Sequence, residues 1–478
     1  MAIGKLSDDA LLNIFRYYLD ASPRFWPRLV HICRKWRHIV FASQRALRLR
    51  LLCMHGTPVP KTLDCWPTLP IVMQYGAPPV PRLSATEDEV GIMAALLQSG
   101  RVGSISLIVT NSLLKILPAI ERPFSELEDL VLMSQDSVSL TLPTSFRWGL
   151  HLRTLHLTRC AIPALPELLF TSTGLVDLKL CKIPNLECFP PDAFANALSR
   201  MTHLRSLSLH FLSFSFPRNY VDLLTQSGER VVLPALTYFK YRGTSQYLDS
   251  LVAGIDAPLL GDIDIRFLGQ PTRNASQLSR FINRIEMQKL HRQVAILSSE
   301  HAIIISFTQP DTPSRLELQI SCEILALQLS YMARICNGLS LLGVEHLHIG
   351  VRRITSGKNE NYDEDWLGLI YSFRGTKWLR IAGDHSTNIV HALQDSQMSA
   401  LPVLCKLCIR EPEPRYAPLQ DAVVSFIHSR WISGHIIAVE YERLWTNELL
   451  GTGTTFVQCR LLSRTNVLSG TPSSAGHN

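Results

Sequence analysis

Few residues of this sequence could do chemistry, and none of them belongs to a complete motif. Cys405 and Cys408 have the Cys-x-x-Cys spacing of zinc and redox sites, but they stand alone, whereas a structural zinc ion takes about four ligands. On a strand, their odd spacing would also send the two thiols to opposite faces. His346 and His348 would share a face, yet no third ligand is near them in the sequence. The sequence therefore predicts no metal site and no cofactor.

Catalytic motifs are missing as well. The segment Gly451-Thr452-Gly453-Thr454 lacks the lysine and the spacing of a phosphate-binding loop. The chain contains neither the Gly-x-Ser-x-Gly nucleophile elbow nor the His-Glu-x-x-His zinc helix. The prediction is a non-catalytic protein that acts by binding, so the question becomes which elements position a binding surface.

The first such element is a helical module at the N-terminus. Ser7 can cap a helix by accepting hydrogen bonds from the first turn, and Leu6 and Leu11 have the spacing of a hydrophobic staple. A second helix is predicted from about Pro27, because apolar residues recur at three- and four-residue steps as far as Val40. Two short amphipathic helices are therefore expected within residues 1–52.

Residues 4–52 resemble an F-box, the motif that binds the Skp-family linker of cullin-based ubiquitin ligases. The likeness lies in the Leu6-Ser7 opening, the acidic residue after it, the Leu-Leu-x-Ile-Phe run that ends at Phe15, and the Cys33-x-x-Trp36 step. Most F-boxes have proline where this chain has Ser7. The resemblance implies that ten residues face the linker: Leu6, Leu11, Leu12, Ile14, Phe15, Leu29, Val30, Cys33, Trp36 and Ile39.

Positive charge is concentrated in the same region. Between Ala21 and Leu63 the chain has no acidic residue, while the whole chain carries a formal charge of +7. Local charge of this kind favours an acidic partner, a nucleic acid or a membrane surface. The alternative to the F-box interpretation is a recognition or scaffold protein, unconnected with ubiquitin, whose basic N-terminus binds nucleic acid or an acidic surface. The basic residues are Arg24, Arg28, Arg34, Lys35, Arg37, Arg45, Arg48, Arg50 and Lys61.

A proline-rich segment follows the module. Seven prolines between Thr57 and Leu83 predict an extended connector over residues 53–100, because proline cannot continue a helix or an inner strand. Leu69, Ile71 and Val72 indicate that part of this connector packs against the body of the protein.

The body, residues 101–445, repeats an apolar triad at positions one, four and six. Successive triads start 23 to 32 residues apart, close to the period of leucine-rich repeats. The pattern predicts an α/β fold in which an irregular leucine-rich-repeat solenoid, with parallel strands on the concave side and helices or loops on the convex side, follows a small all-α module. The triads are Val102/Ile105/Leu107, Leu127/Leu130/Leu132, Leu152/Leu155/Leu157, Leu175/Leu178/Leu180, Leu204/Leu207/Leu209, Leu236/Phe239/Tyr241 and Leu260/Ile263/Ile265, with later copies at Val344/Leu347/Ile349, Leu379/Ile381 and Leu404/Leu407/Ile409.

Between the triads, 192–200 and 277–289 read as amphipathic helices, and 298–307 and 316–320 as strands that do not keep the triad. The layout resembles a group of basidiomycete fungal F-box proteins with an irregular leucine-rich body. Strand residues beside the buried leucines are the candidates for target binding. Their mixed charge and scarce aromatic residues favour a protein target over single-stranded nucleic acid. They are Thr154, His156, Asp177, Lys179, Ser206, Ser208, His210, Tyr238, Lys240, Arg242, Asp262, Asp264 and Arg266, with His346, His348, Lys406 and Arg410 in later repeats.

The resemblance implies a substrate-recognition adaptor of an SCF-type (Skp-cullin-F-box) ubiquitin ligase. Its partners would be a Skp-family linker, through it a cullin, and a target protein; neither a membrane nor a nucleic acid is expected. No run of eighteen apolar residues occurs, and the eleven cysteines form no regular framework, so a cytoplasmic or nuclear location is predicted. Residues 446–478 are expected to be a largely disordered tail.

Overall fold

The computed structural model of this protein describes residues 6–21, 23–66, 68–75, 85–117, 122–134, 140–142, 151–161, 165–183, 189–211, 230–269, 276–285, 291–309, 314–351, 362–383, 386–395, 400–411, 417–445 and 456–461. The chain forms two compact units. Unit 1 consists of Met1–Phe189 and Arg200–Leu212, and unit 2 of Pro190–Ser199 and Ser213–Asn478.

Unit 1 begins with the helical module, which has three helices: α1 (Asp8–Ala21), α2 (Trp26–Val30) and α3 (Arg34–Ala42). The cap at Ser7 is confirmed, since its Oγ accepts from the backbone N–H of Ala10 at 3.3 Å. Lys35 holds the start of α1 to α3, donating to the Leu6 carbonyl at 2.8 Å and pairing with Asp8 at 3.1 Å. The predicted second helix is two helices, because Cys33 has an extended backbone that separates α2 from α3.

The rest of unit 1 alternates strands with helices. The strands are β1 (Leu51–Met54), β2 (Ile71–Tyr75), β3 (Val102–Val109), β4 (Asp129–Ser134), β5 (Leu140–Thr141), β6 (Thr154–Thr158), β7 (Cys160–Ala161), β8 (Asp177–Cys181) and β9 (Ser206–His210). The helices are α4 (Val59–Cys65), α5 (Ala85–Leu96), α6 (Asn111–Ile116) and α7 (Leu165–Thr171). Strands β1, β2, β3, β4, β6, β8 and β9 form a parallel sheet in that order, and β5 pairs with β7.

The register of neighbouring strands explains why the triads of unit 1 fold into one sheet. Leu155 on β6 lies opposite Leu178 on β8, which lies opposite Leu207 on β9, and all three side chains are fully buried. A parallel pair in register places the same repeat positions side by side, so each leucine covers its neighbours. All seven predicted triads form strands of this kind.

Residues 53–100, predicted to be an extended connector, instead contain α4, β2 and α5. Pro58 is the N-cap of α4 and Pro60 its second residue. Proline is tolerated there because the first turn of a helix has no partner for its N–H groups. The packing expected around Ile71 is confirmed, since its side chain is buried in β2. Pro78, Pro79 and Pro81 lie outside the described residues.

Unit 2 has ten strands in its main sheet, counted over the described residues. They are β11 (Tyr238–Gly243), β13 (Asp262–Leu268), β14 (Gln293–Ser299), β15 (Ala302–Thr308), β16 (Arg315–Ser321), β17 (His346–Val351), β18 (Trp378–Gly383), β19 (Lys406–Glu411), β20 (Ala438–Trp445) and β21 (Phe456–Leu461). Strands β10 (Val231–Val232) and β12 (Ile255–Asp256) form a separate parallel pair. The helices are α8 (Pro191–Ser199), α9 (Ser245–Ala253), α10 (Ser276–Arg284), α11 (Leu325–Asn337), α12 (Asp363–Ile370), α13 (Ser386–Asp395) and α14 (Ala417–Ile432).

Strands β14, β15 and β16 of unit 2 interrupt the regular order of the repeats. The spatial order is β11, β13, β16, β15, β14, β17, β18, β19, β20, β21, with β15 antiparallel to both of its neighbours and β21 antiparallel to β20. The predicted strand at 298–307 is therefore a hairpin that turns at Glu300 and His301. Helix α11 crosses β15 and β16, and its fully buried Gln328 donates to the carbonyls of Cys322 and, at 3.4 Å, Glu300.

The predicted C-terminal tail contributes β21; its other residues, including Gly451 and Gly453, lie outside the described residues. None of the described helices is long and apolar enough to cross a membrane.

Candidate functional site

The ten residues expected to face a linker fall into three groups in the module. Five of them fill the module's own core and are at most 5% exposed, so in this conformation they have no surface to offer a partner; this corrects the expectation for Leu11, Phe15, Leu29, Val30 and Ile39. Leu12 and Trp36 are half-buried, with the Trp36 ring 4.7 Å from that of Phe15. The exposed residues are Leu6, Ile14 and Cys33.

Helix α1 also exposes an apolar residue that the sequence interpretation missed. Tyr17 is 82% exposed and Ile14 is 49% exposed, although both are large and apolar. With Leu6, which lies just before the helix, and the half-buried Ala10 they form a second apolar stripe, spaced by four, four and three residues, beside the buried face of Leu11, Phe15 and Leu19. The spacing of these four residues is the sequence signal from which an exposed apolar stripe could have been predicted. We call these four residues the α1 stripe.

Basic residues surround an aromatic ring at the start of α2. The guanidinium carbons of Arg24 and Arg28 lie 4.8 and 4.2 Å from the centre of the Phe25 ring. Both arginines are exposed, so the two charges remain available to an anionic group in solution. The module therefore presents positive charge as well as the α1 stripe.

The exposed face of the unit 1 sheet carries small polar side chains and an ion pair between neighbouring strands. His156 Nε2 lies 2.8 Å from Asp177 Oδ2 across β6 and β8. Burial acts to raise the pKa of Asp177, but the interactions with His156, Ser206 and Lys179 together bring that pKa below its usual value. Thr154, Ser206 and His210 are half-buried and Lys179 is exposed. Ser208 is only 6% exposed, which corrects its assignment as a target-binding residue.

Five charged side chains of β11, β13 and β16 form a network on the exposed face of unit 2. Asp264 accepts from Lys240 Nζ at 2.6 Å and from Arg266 Nε at 2.9 Å. Arg266 also bonds Glu317 Oε1 at 3.4 Å, and Glu317 bonds Arg315. These contacts arise because register places Lys240, Asp264 and Glu317 directly opposite one another on neighbouring strands.

The pKa of Asp264, which belongs to this network, shifts in the opposite direction from that of the nearby Asp262. Burial favours a raised pKa for Asp264, but its hydrogen bonds from Arg266 and Lys240 lower the pKa below the usual value. Burial raises the pKa of Asp262, which is half-buried, and of Tyr238 beside it. The charges predicted to bind a target are therefore largely satisfied by each other.

Removing the carboxylate of Glu317 tests how much the network contributes to the free energy of unfolding. Glu317→Gln would leave Arg266 and Arg315 facing a neutral amide, and Glu317 has a side chain only 10% exposed. We expect the free energy of unfolding to fall by about 1–3 kcal/mol, measured by urea denaturation. Gln319→Ala, two residues along the same strand and bonded to Ser321 at 3.2 Å, is the control. Equal unfolding free energies for Glu317→Gln and Gln319→Ala would contradict a stabilising role for Glu317 in the network.

Strands β17 to β20 carry the remaining predicted residues. The ring of His346 lies 5.2 Å from that of Trp378, and Lys406 Nζ lies 5.9 Å from the Trp378 ring centre and 2.9 Å from Glu440 Oε1. The register places His348 beside Arg380 in the next row. These side chains form a polar surface around the half-buried Trp378 ring.

Metal-binding residues do not converge in the described part of the chain. No group of three or more His, Cys, Asp or Glu side chains there is arranged to hold a metal ion. Cys405 is exposed just before β19 and Cys408 is buried within that strand.

The fold defines an α/β protein with a large, mostly parallel sheet connected by helices. No protein-family model matches this chain, and no curated protein matches it. Among solved structures it is similar to LegL7, a leucine-rich repeat-containing protein from Legionella pneumophila, with 14% identity, a TM-score of 0.28, and coverage of 79% of this chain and 97% of that one. At that TM-score the likeness carries no information about function.

Proposed function

We propose that this protein is a substrate-recognition adaptor of an SCF-type ubiquitin ligase. In this proposal the module docks on a Skp-family linker that binds a cullin, and the exposed faces of the repeat strands hold a target protein. The adaptor itself forms no covalent bond. It raises the rate of ubiquitin transfer by holding a target lysine close to a thioester carried by another subunit, in the cytoplasm or nucleus.

The observation that carries the proposal is that the α1 stripe stays exposed while other apolar residues of α1 are buried. Leu11 and Phe15 on the same helix are fully buried, whereas Ile14 and Tyr17 stay exposed in the folded chain. Large apolar side chains exposed together on a helix favour a partner surface. Arg24 and Arg28 add charge that would select an acidic partner.

Capture of the linker by the intact chain tests the proposal. Ile14→Asp places a charge in the α1 stripe without touching the core, and we expect it to weaken binding to a purified Skp-family linker at least about tenfold, because a desolvated apolar contact would be lost. Asn13→Asp introduces the same charge on the neighbouring exposed position and should bind normally. Circular dichroism would check that both variants fold.

Salt and arginine variants separate this proposal from the alternative. Linker binding through the α1 stripe should persist at high salt, whereas binding of nucleic acid through the basic residues should weaken steeply with salt. A folded intact chain that captures no linker, but binds nucleic acid through Arg24 and Arg28, would replace the adaptor with a recognition protein unconnected with ubiquitin.

A further inference from the structure

Helix α14 leaves part of its surface apolar and exposed. Its packed side, on which Val423 and Phe426 are buried, contacts α13. Four large apolar residues of α14 and of the turn after it are at least half exposed. They are Val424, Trp431, Ile432 and Ile436, at 50%, 62%, 69% and 65%. We call these four residues the α14 patch.

A tight turn joins the end of α14 to the last residue of the patch. The N–H of Gly434 donates to the Trp431 carbonyl at 3.0 Å, and the N–H of His435 donates to the Arg430 carbonyl at 2.9 Å. With φ at 79° in Gly434, this is the Schellman arrangement, in which a glycine in the left-handed region ends a helix. Ile436 follows directly, so the α14 patch continues from the helix towards β20.

The helices of unit 2 pack on one another in chain order. In the described part of the chain, α9 contacts α10, and the same holds for each successive pair from α10 to α14. Helix α14 is the last described helix, so no later one covers it as it covers α13. The final unit of a repeat array normally has a polar outer face for this reason. An apolar surface at that place favours a further segment that covers it.

The chain leaves its last described strand beside the α14 patch. Strand β21 is antiparallel to β20, and its final residue, Leu461, lies opposite Glu440, four residues after Ile436. The two strands are joined at their other end, where Phe456 lies opposite Trp445. Residues 462–478, which lie outside the described residues, therefore continue from the start of β20.

Length and composition select the beginning of this segment as the occupant of the patch. An extended chain rises about 3.3 Å per residue along either strand, so about four residues beyond Leu461 bring it level with Ile436. The next large apolar residues of the segment, Val467 and Leu468, then arrive at the end of α14. The α14 patch is most exposed at that end of the helix.

The size of the patch favours a short segment over a second copy of the chain. Each side of a stable protein–protein interface contributes about 20–30 residues. The α14 patch has four, which a segment of a few residues covers. The connection between β20 and β21 also has apolar residues, Leu449 and Leu450, but it joins the strands at the end away from Ile436.

We propose that residues 462–468 of this chain cover the α14 patch, with Val467 and Leu468 packed against Trp431 and Ile432. The segment then takes the place of the next helix in the series and closes the C-terminal end of unit 2. This inference does not rest on the proposed function, because neither linker docking nor target binding involves the α14 patch.

Oxidation by hydroxyl radicals tests whether the segment covers Trp431. In the intact chain, the double variant Val467→Asp/Leu468→Asp should raise the rate of Trp431 oxidation at least about threefold, because carboxylates do not stay packed against an apolar surface. Mass spectrometry measures the rate. Tyr17, which is 82% exposed and lies in unit 1, is the internal reference in every sample.

A second double variant controls for added charge. Ser473→Asp/Ser474→Asp places the same two charges further along the segment, beyond residues 462–468. Its rate of Trp431 oxidation should equal that of the wild type. An equal increase in both double variants would overturn the proposal, because charge rather than lost packing would then be the cause.

Tryptic cleavage after Arg464 provides the reciprocal test. Trp431→Asp should speed cleavage of this bond in the intact chain at least about tenfold, because proteolysis follows the population of the open form. Leu259→Asp changes a 60% exposed leucine of unit 2 outside the patch, and it should be cleaved at the wild-type rate. Equal cleavage of Trp431→Asp, Leu259→Asp and the wild type would contradict the proposal.

The other occupants give different results. If Leu449→Asp/Leu450→Asp raised Trp431 oxidation while Val467→Asp/Leu468→Asp did not, the connection between β20 and β21 would cover the patch instead. Protection of Trp431 that disappears on dilution would assign the patch to a second copy of the chain. Either result would overturn the assignment of residues 462–468 and leave the adaptor proposal unaffected.

Discussion

Replacing Leu178 by alanine is expected to lower the free energy of unfolding by about 2–5 kcal/mol. Leu178 is fully buried on β8, between Leu155 on β6 and Leu207 on β9, which are fully buried too. The cost combines the lost transfer of the side chain from water with the cavity left between strands that cannot close over it. Urea denaturation of the intact chain gives the measurement.

The neighbouring residue supplies the control. Lys179 is on the same strand but exposed, so Lys179→Ala changes side-chain size without opening a cavity. Its effect should stay within about 0.5 kcal/mol. If Leu178→Ala were as stable as Lys179→Ala, the stacking of repeat leucines would not be the source of stability in unit 1.

Acidification is expected to destabilise unit 2 through His291. This residue is 5% exposed just before β14, with its ring centre 6.1 Å from that of Phe307. Burial lowers its pKa from 6.5 to about 4, because the charged imidazolium is poorly solvated there. The unfolded chain therefore binds a proton at a higher pH than the folded one, and stability that is present above pH 6.5 is lost as the pH falls towards 4.

The size of the effect follows from the pKa difference. A shift from 6.5 to about 4 corresponds to about 3 kcal/mol at the acid end of this range. In His291→Gln the decline in unfolding free energy between pH 6.5 and 4 should be smaller by that amount. His435→Gln, at an exposed position of the same unit, should decline as the wild type does. Parallel curves for His291→Gln and wild type would exclude His291 as the cause.

The repeat strands could be predicted because their signal is local. Positions four and six of most triads alternate with polar residues, and that alternation predicts a strand with one buried face. Leu155, Leu178 and Leu207 lie in register as the triads require. Helices α8 and α10 carry a strong apolar periodicity, and both were predicted within one or two residues of their observed starts.

Other parts of the fold depended on contacts that no local pattern records. The prolines of residues 53–100 predict an interruption, yet Pro58 and Pro60 begin α4 because a helix start tolerates proline. The apolar runs of β14, β15 and β16 indicate strands, but they do not determine strand order. In the structure β16 pairs with both β15 and the more distant β13, and β14 pairs with β17.

The candidate binding surfaces, too, depend partly on local sequence and partly on tertiary contacts. The sequence alone determined that the N-terminal segment is helical, that the body repeats, and that polar residues alternate with the leucines, because each of these is a property of neighbours along the chain. The tertiary structure decided that Phe15 and Leu11 are buried while Ile14 and Tyr17 are exposed, that Asp264 pairs with Lys240 and Arg266, and that Leu297 lies opposite Ile304 on the neighbouring strand. Burial and pairing are set by whatever packs against a side chain, and those partners come from distant parts of the chain.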